Sequence, residues 1–188
     1  MAGIDTVILA IAGFFIIGIA LFVIAVYNAL VTLHNNIKKS RSNIDVLLKQ
    51  RSDELPKLIE SVKGYMKHEK GTLAELTKAR TQFLKAKTTS QKAAADNMIS
   101  EALKTIFAVS ENYPKLRASE NFSQLQTRIS GIENELADRR EFYNDSVNTY
   151  NIKIHTFPDM FFASMLGYKN EEMFVASEHE RKDVKVKF

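Results

Sequence analysis

Hydrophobic and polar positions divide this chain into one unbroken apolar run and a long remainder in which apolar residues recur at helical spacing. From Thr6 to Tyr27 no charge interrupts TVILAIAGFFIIGIALFVIAVY. At 1.5 Å per residue that run rises about 33 Å, enough to cross a hydrocarbon core of roughly 30 Å as one helix. A cleaved secretory signal would want a basic start, a shorter apolar stretch and a small-x-small exit. The start here is Met-Ala-Gly-Ile-Asp and no such exit follows, so an uncleaved anchor over 1–27 is expected.

Beyond the run, Leu30, Leu33, Ile37, Ile44, Leu47, Leu48, Leu55, Leu58, Ile59, Val62 and Tyr65 fall three and four apart with charge between, the spacing of an amphipathic helix. Pro56 interrupts it, and Asp53 and Glu54 just ahead supply a start signal, so a break is expected near Arg51–Asp53, with a kinked continuous helix as the alternative. Leu73, Leu76, Ala79, Phe83 and Ala86 carry a second helix, from Glu54 to Lys87, to a turn at Thr88-Thr89-Ser90. Ala93 to Val109 forms a third, ended by Asn112-Tyr113-Pro114, because the residue before proline is driven out of helical geometry. The last long helix, Phe122, Leu125, Ile129, Ile132, Leu136, Tyr143, Val147, Tyr150 and Ile154, runs to Phe157-Pro158. Phe161, Phe162, Met165 and Leu166 share one face of a short helix that Gly167 can end. Almost no strand-like alternation remains, so the fold class is all-α, and several stripes joined by short turns favour an intramolecular bundle over an intermolecular coiled coil. The bundle domain is placed at 28–176 and a charged flexible tail at 177–188.

Charge sets the topology. Lys38, Lys39, Arg41, Lys49 and Arg51 follow the span while only Asp5 and the amino terminus precede it, which places the amino terminus outside and the body in the cytoplasm of a single-pass cell-membrane protein. Without Asp5 the body keeps 26 basic side chains against 21 acidic ones. That mild excess forms no basic stripe with interleaved aromatics, so nucleic acid is not an expected partner. Cysteine is absent, which excludes disulfides, thiolate nucleophiles and cysteine-ligated metal sites. The span has no Gly-x-x-x-Gly, and its close small pair, Ala25 and Ala29, sits at the interface, so pairing through the membrane is not indicated.

The order of short motifs resembles a known family. Tyr27-Asn28-x-Leu30-Val31, Ser42-Asn43-Ile44-Asp45-Val46-x-Leu48-Lys49-x-Arg51, Pro56-x-Leu58, Val62-Lys63-Gly64-Tyr65 and His68-Glu69 resemble the LemA family of membrane-anchored bacterial and archaeal proteins. So do Ala79-Arg80, Asn112-Tyr113-Pro114-x-Leu116, Asn121-Phe122-x-x-Leu125-Gln126, Tyr143-Asn144 and Tyr150-Asn151. Where the family commonly has a tryptophan before the Ser-Asn-Ile-Asp segment, this chain has Arg41. The resemblance implies one N-terminal span, a cytoplasmic four-helix up-and-down bundle of long antiparallel helices, and an accessory role with no established enzyme activity.

Candidate chemistry is sparse. None of His34, His68, His155 and His179 follows a glutamate by three residues, and His68-Glu69 lacks the second histidine of a zinc helix, with Thr72 in its place. No phosphate-cradling glycine loop or Gly-x-Ser-x-Gly elbow is present, so neither a catalytic, cofactor nor metal site is expected. Polar residues near the seams, Asn43, Asp45, Arg51, Arg80, Glu133, Arg139, Arg140, Asn144 and Asn151, read either as contacts that fix helix register or as a surface for a membrane partner. In an up-and-down path the fourth helix returns to the membrane, which makes Phe161, Phe162, Met165 and Leu166 a candidate membrane interface, with packing on the bundle end as the alternative. The expected function is a scaffold or adaptor for membrane-associated proteins, with the lipid bilayer as the other partner and self-association left open. The competing reading is a lipid-organising protein.

Overall fold

A computed structural model of the chain describes residues 2–66 and 68–174, Ala2 by its backbone alone. The charged segment 177–188 lies outside the described residues, as does His179. Among the described residues every regular element is helical: α1 Ala2–Lys63, α2 Lys70–Lys85, α3 Thr89–Ser110, α4 Pro114–Arg117, α5 Glu120–His155 and α6 Asp159–Met165. Near its start α1 has an 18-residue window of mean hydropathy 3.1, none of it buried, long and apolar enough to cross a membrane.

α1 does not break at Arg51–Asp53; it runs through Pro56 to Lys63. Proline lacks the N–H that would bond the Ser52 carbonyl four residues earlier, and a buried carbonyl without a donor is costly. Arg80 Nε on α2 donates to that carbonyl at 3.0 Å. The helix survives because a side chain replaces the missing backbone donor. The break expected near Arg51–Asp53 comes instead after Lys63, where the amides of Tyr65 and Met66 both close back onto the Val62 carbonyl at 3.0 and 2.9 Å. The second helix therefore begins at Lys70 and not at Glu54. With that boundary α5 has 36 residues and positions 28–63 of α1 supply as many, about 54 Å of rise each.

Local chemistry explains the other ends. Thr88 caps α3, its Oγ1 accepting from the Gln91 amide at 3.1 Å while Gln91 Oε1 accepts from the Thr88 amide at 3.3 Å, so Thr89 and Ser90 are the first helical residues and not a turn. α6 closes on Gly167 at φ +75°, with the Tyr168 amide donating to the Ala163 carbonyl at 3.0 Å, the reach-back of a Schellman cap.

The chain divides into two compact units, Met1–Ser40 with Asp145–Glu171 and Arg41–Asn144 with Glu172–Phe188. In the first, Val26, Leu30 and Ile37 of α1, Val147, Tyr150 and Ile154 of α5 and Ala163 of α6 are buried. In the second, the buried set includes Ile44, Leu48, Leu55, Leu58 and Val62 of α1, Leu76 and Phe83 of α2, Ile99, Leu103 and Ile106 of α3, and Phe122, Ile129, Leu136 and Tyr143 of α5. Each such aliphatic or aromatic side chain contributes about 1.5–3 kcal/mol by leaving water. Pairings in this second unit have a consistent order. Asp45 meets Lys92 and Arg51 meets Asp96, so α1 and α3 run the same way, whereas Glu54 meets Arg128 and Arg51 meets Glu133, so α1 and α5 run oppositely.

Candidate functional site

Buried positions on α1 advance alternately by four and three: Ile44, Leu48, Arg51, Leu55, Leu58, Val62. Arg51 thus occupies a core position, and its side chain is 0% exposed. The same spacing places Asp96 before Ile99, Leu103 and Ile106 on α3, and Glu133 and Arg140 among Ile129, Leu136, Tyr143 and Val147 on α5. These four charged residues form one polar layer in the second unit. Arg51 Nη1 donates to Asp96 Oδ1 at 2.7 Å, and its Nη2 donates to Ser100 Oγ at 2.9 Å and pairs with Glu133. Ser100 in turn donates to Glu133 Oε1 at 2.8 Å, and Arg140 pairs with the second oxygen of Asp96. Two cations and two carboxylates cancel in formal charge. Desolvation holds the Arg51 guanidinium below the ordinary arginine value, and Glu133 opposes that shift by its charge and its hydrogen bond.

Such a layer has a structural chemistry. Both carboxylates are engaged by guanidinium groups, which spends the charges on one another. Polar residues at seam positions fix register, because sliding any helix would leave a charge buried without its partner.

The other seam residues, Asn43 apart, are also used within the chain. Arg80 holds the Ser52 carbonyl. Arg140 additionally lies over the Phe174 ring, 5.0 Å from its centre. Asp45 accepts from Lys92 at 2.7 Å, Arg139 reaches Glu135 one turn earlier at 3.3 Å, and Asn43 is exposed. These residues therefore do not gather into one outward surface.

Two asparagines do something the sequence left unread. In the second unit Asn144 brackets the backbone of Phe174, its Nδ2 donating to the carbonyl at 3.0 Å and its Oδ1 accepting from the amide at 2.7 Å, while Tyr143 donates to the Glu172 carbonyl at 2.8 Å. In the first unit Asn151 brackets Glu171 in the same way, at 3.0 Å for both bonds, and Tyr150 donates to the Lys169 carbonyl at 3.0 Å. The repeated Tyr-Asn dipeptide, one heptad apart in α5, is thus a pair of clamps on the chain that follows α6. Burial first, then the Glu171 carboxylate and Tyr168, raises the Tyr150 phenol above its ordinary value, with the Lys169 carbonyl opposing.

At the start of the first unit, α6 lies beside the end of the apolar run. Phe162 meets Phe22 edge to face with ring centres 6.1 Å apart, and Val23, Ile24, Tyr27, Phe162, Met165 and Leu166 line an apolar cleft of about 190 Å³. Phe161, Met165 and Leu166 are 60%, 74% and 43% exposed, so of the four expected interface residues Phe162 is the most covered.

The histidines are dispersed. His34 lies 5.8 Å and 5.9 Å from the Tyr150 and Tyr168 rings, with Nδ1 3.7 Å from Glu171 Oε1; His155 Nδ1 is 2.8 Å from the Asn151 carbonyl; His68 is exposed. Among the described residues no three His, Asp or Glu side chains converge as a metal site would need. Sequence reading missed Asp96, Ser100, Tyr143 and Tyr150 as polar partners. Asp96 was detectable, since it stands at seam spacing; the tyrosines hold backbone, which leaves no complementary residue to find.

The LemA family model matches residues 40–188 of this chain. Protein LemA of Metamycoplasma hominis is 34% identical over an alignment that covers 91% of this chain and 80% of that protein. Magnetosome protein MamQ 2 of Paramagnetospirillum magneticum and Magnetosome protein MamQ of Magnetospirillum gryphiswaldense are each 24% identical, across 79% of this chain and 64% of their own length.

Proposed function

We propose, for a chain that belongs to the LemA family, a single-pass membrane anchor whose helical body acts by binding, as a scaffold or adaptor that holds partner proteins at the cytoplasmic face. The observation that carries this reading is the apolar window of α1, none of it buried in the protein, which supports a place in lipid. In this account residues 1–27 are the anchor with the amino terminus outside, 28–176 the body and 177–188 a tail. The body is a four-helix up-and-down bundle of α1, α2, α3 and α5, a reading supported by the opposed order of α1 and α5 and the shared direction of α1 and α3. A non-enzymatic role is supported by the buried charged layer, whose groups neutralise one another.

Mild crosslinking in cells that make normal amounts of the protein, followed by identification of what is joined to it, tests the scaffold. Specific membrane-associated proteins are expected; a protein that joins only to copies of itself or to nothing argues against it. A second reading, lipid organisation, is favoured by α6, where Phe162 meets Phe22 of the span, Met165 and Leu166 line a cleft with Tyr27, and Phe161, Met165 and Leu166 are exposed. Helices with such a face lie in the headgroup region. Purified protein would then change the shape of vesicles, and Phe161→Asp with Phe162→Asp would abolish the change.

A further inference from the structure

α2 buries Leu76, Ala79 and Phe83 on one side. Its other side is unusual for a helix facing water, because its centre is not charged. Leu73, Ala74, Thr77 and Thr81 of α2, with Ile59 and Met66, line an open groove of about 1180 Å³ in the second unit. The two threonines are less polar than they look: Thr77 Oγ1 donates to the Leu73 carbonyl and Thr81 Oγ1 to the Thr77 carbonyl, both at 2.8 Å, so their hydroxyl protons are satisfied inside the helix. The floor is therefore a strip of methyl and methylene groups, kept shallow by alanine and threonine. Around it stand Lys63, Lys70, Lys78 and Lys85, and among the described residues no acidic one lines the groove. The lysines that form ion pairs among the described residues are Lys49, Lys57, Lys92, Lys104 and Lys153, so all four groove lysines keep their charge for something else.

An apolar strip with cations about it, Lys70 and Lys85 at the two ends of α2 and Lys63 and Lys78 in the lining between, is the complement of an amphipathic helix whose apolar stripe is accompanied by carboxylates. We infer that this groove docks an acidic amphipathic helix of a partner protein, laid along the 16 residues of α2, about 24 Å or some four turns. The inference rests on the scaffold reading and names the chemistry of its partner. A lipid surface is disfavoured, since a bilayer is flat and the apolar strip lies in a groove. A second copy joined through the same face is disfavoured too, because an isologous contact would bring lysine against lysine.

The test is photo-crosslinking in cells, with benzoylphenylalanine in place of Thr77 in the full-length membrane-bound protein and, as a control, in place of Asp138, exposed on α5. The expected result is a product from position 77 and not from 138, whose attached peptide maps to a helix with an apolar stripe and a net acidic flank. Lys70→Glu with Lys78→Glu should lower its yield at least tenfold while leaving the thermal melting of the protein within a few degrees, and Ala74→Glu should do the same. Label that goes to lipid, to a second copy of the chain or to nothing beyond the control overturns the inference, as does a product whose yield ignores the lysine changes. Because residue-independent crosslinking of Lys70→Glu/Lys78→Glu protein would still recover other partners, the groove can fail while the scaffold stands.

Discussion

Pro56 makes the stability of α1 depend on a residue of α2, and that dependence can be measured. Arg80→Met keeps most of the arginine stem and removes the guanidinium, which leaves the Ser52 carbonyl, in a residue 0% exposed, without its donor. An orphaned buried acceptor costs about 1–3 kcal/mol, and loss of a hydrogen bond from a charged donor falls in the same range, so a cost of about 2 kcal/mol is expected. Pro56→Ala restores the N–H that bonds this carbonyl, and removal of an interior helix proline should itself stabilise by up to ~3 kcal/mol. In the Pro56→Ala background Arg80→Met should then cost less than about 1 kcal/mol, a coupling of at least 1 kcal/mol. Urea unfolding of the full-length protein in mild detergent gives the four free energies, followed by the fluorescence of its 6 tyrosines, since tryptophan is absent. Equal costs of Arg80→Met in the two backgrounds would refute the carbonyl argument.

Other expectations follow from the same contacts. Asp96→Asn removes the anion shared by Arg51 and Arg140 and should cost about 3–5 kcal/mol, whereas Glu133→Gln, at a side chain 37% exposed, should cost about 0–1 kcal/mol; thermal melting of both variants checks the order. Asn151→Ala loses both bonds to Glu171, and hydrogen exchange at the Glu171 amide should quicken at least tenfold, with Asn144→Ala doing the same at Phe174. Tyr150 has a raised folded-state value, so its contribution to stability is present below the ordinary tyrosine value of about 10 and is lost as pH rises through the higher folded value. Ultraviolet titration at 295 nm should show its phenolate forming later than the rest, a late component that Tyr150→Phe removes.

Much of the helical plan was legible because burial recurs at fixed spacing. Phe122, Ile129, Leu136, Tyr143 and Tyr150 are one heptad apart and all are buried, which is why α5 was drawn within a few residues of its ends. The boundaries that were misplaced depended on contacts far along the chain. Pro56 is a local break signal that Arg80 overrides by bonding the Ser52 carbonyl, 28 residues away from it in sequence, and Tyr65 and Met66 continue the apolar spacing past the point where the helix turns. Of the candidate polar residues, Arg51 and Arg140 stood out as charges at core spacing; their partner Asp96 stands at the same spacing ahead of Ile99, Leu103 and Ile106, but which charge it meets shows only when α3 is placed beside α1. The clamps of Asn144 and Asn151 were invisible for a different reason. Their ligand is peptide backbone, which has the same chemistry in every sequence.

Lipid attachment of α1 is the claim on which the rest depends, and the absence of cysteine makes it direct to test. Single cysteines at Gly3 and Asp138 in otherwise unchanged protein should remain in the membrane fraction after carbonate extraction, the first labelled by an impermeant maleimide in intact cells and the second only after permeabilisation. Recovery of the protein in the carbonate supernatant, or labelling of position 138 in intact cells, would contradict the account.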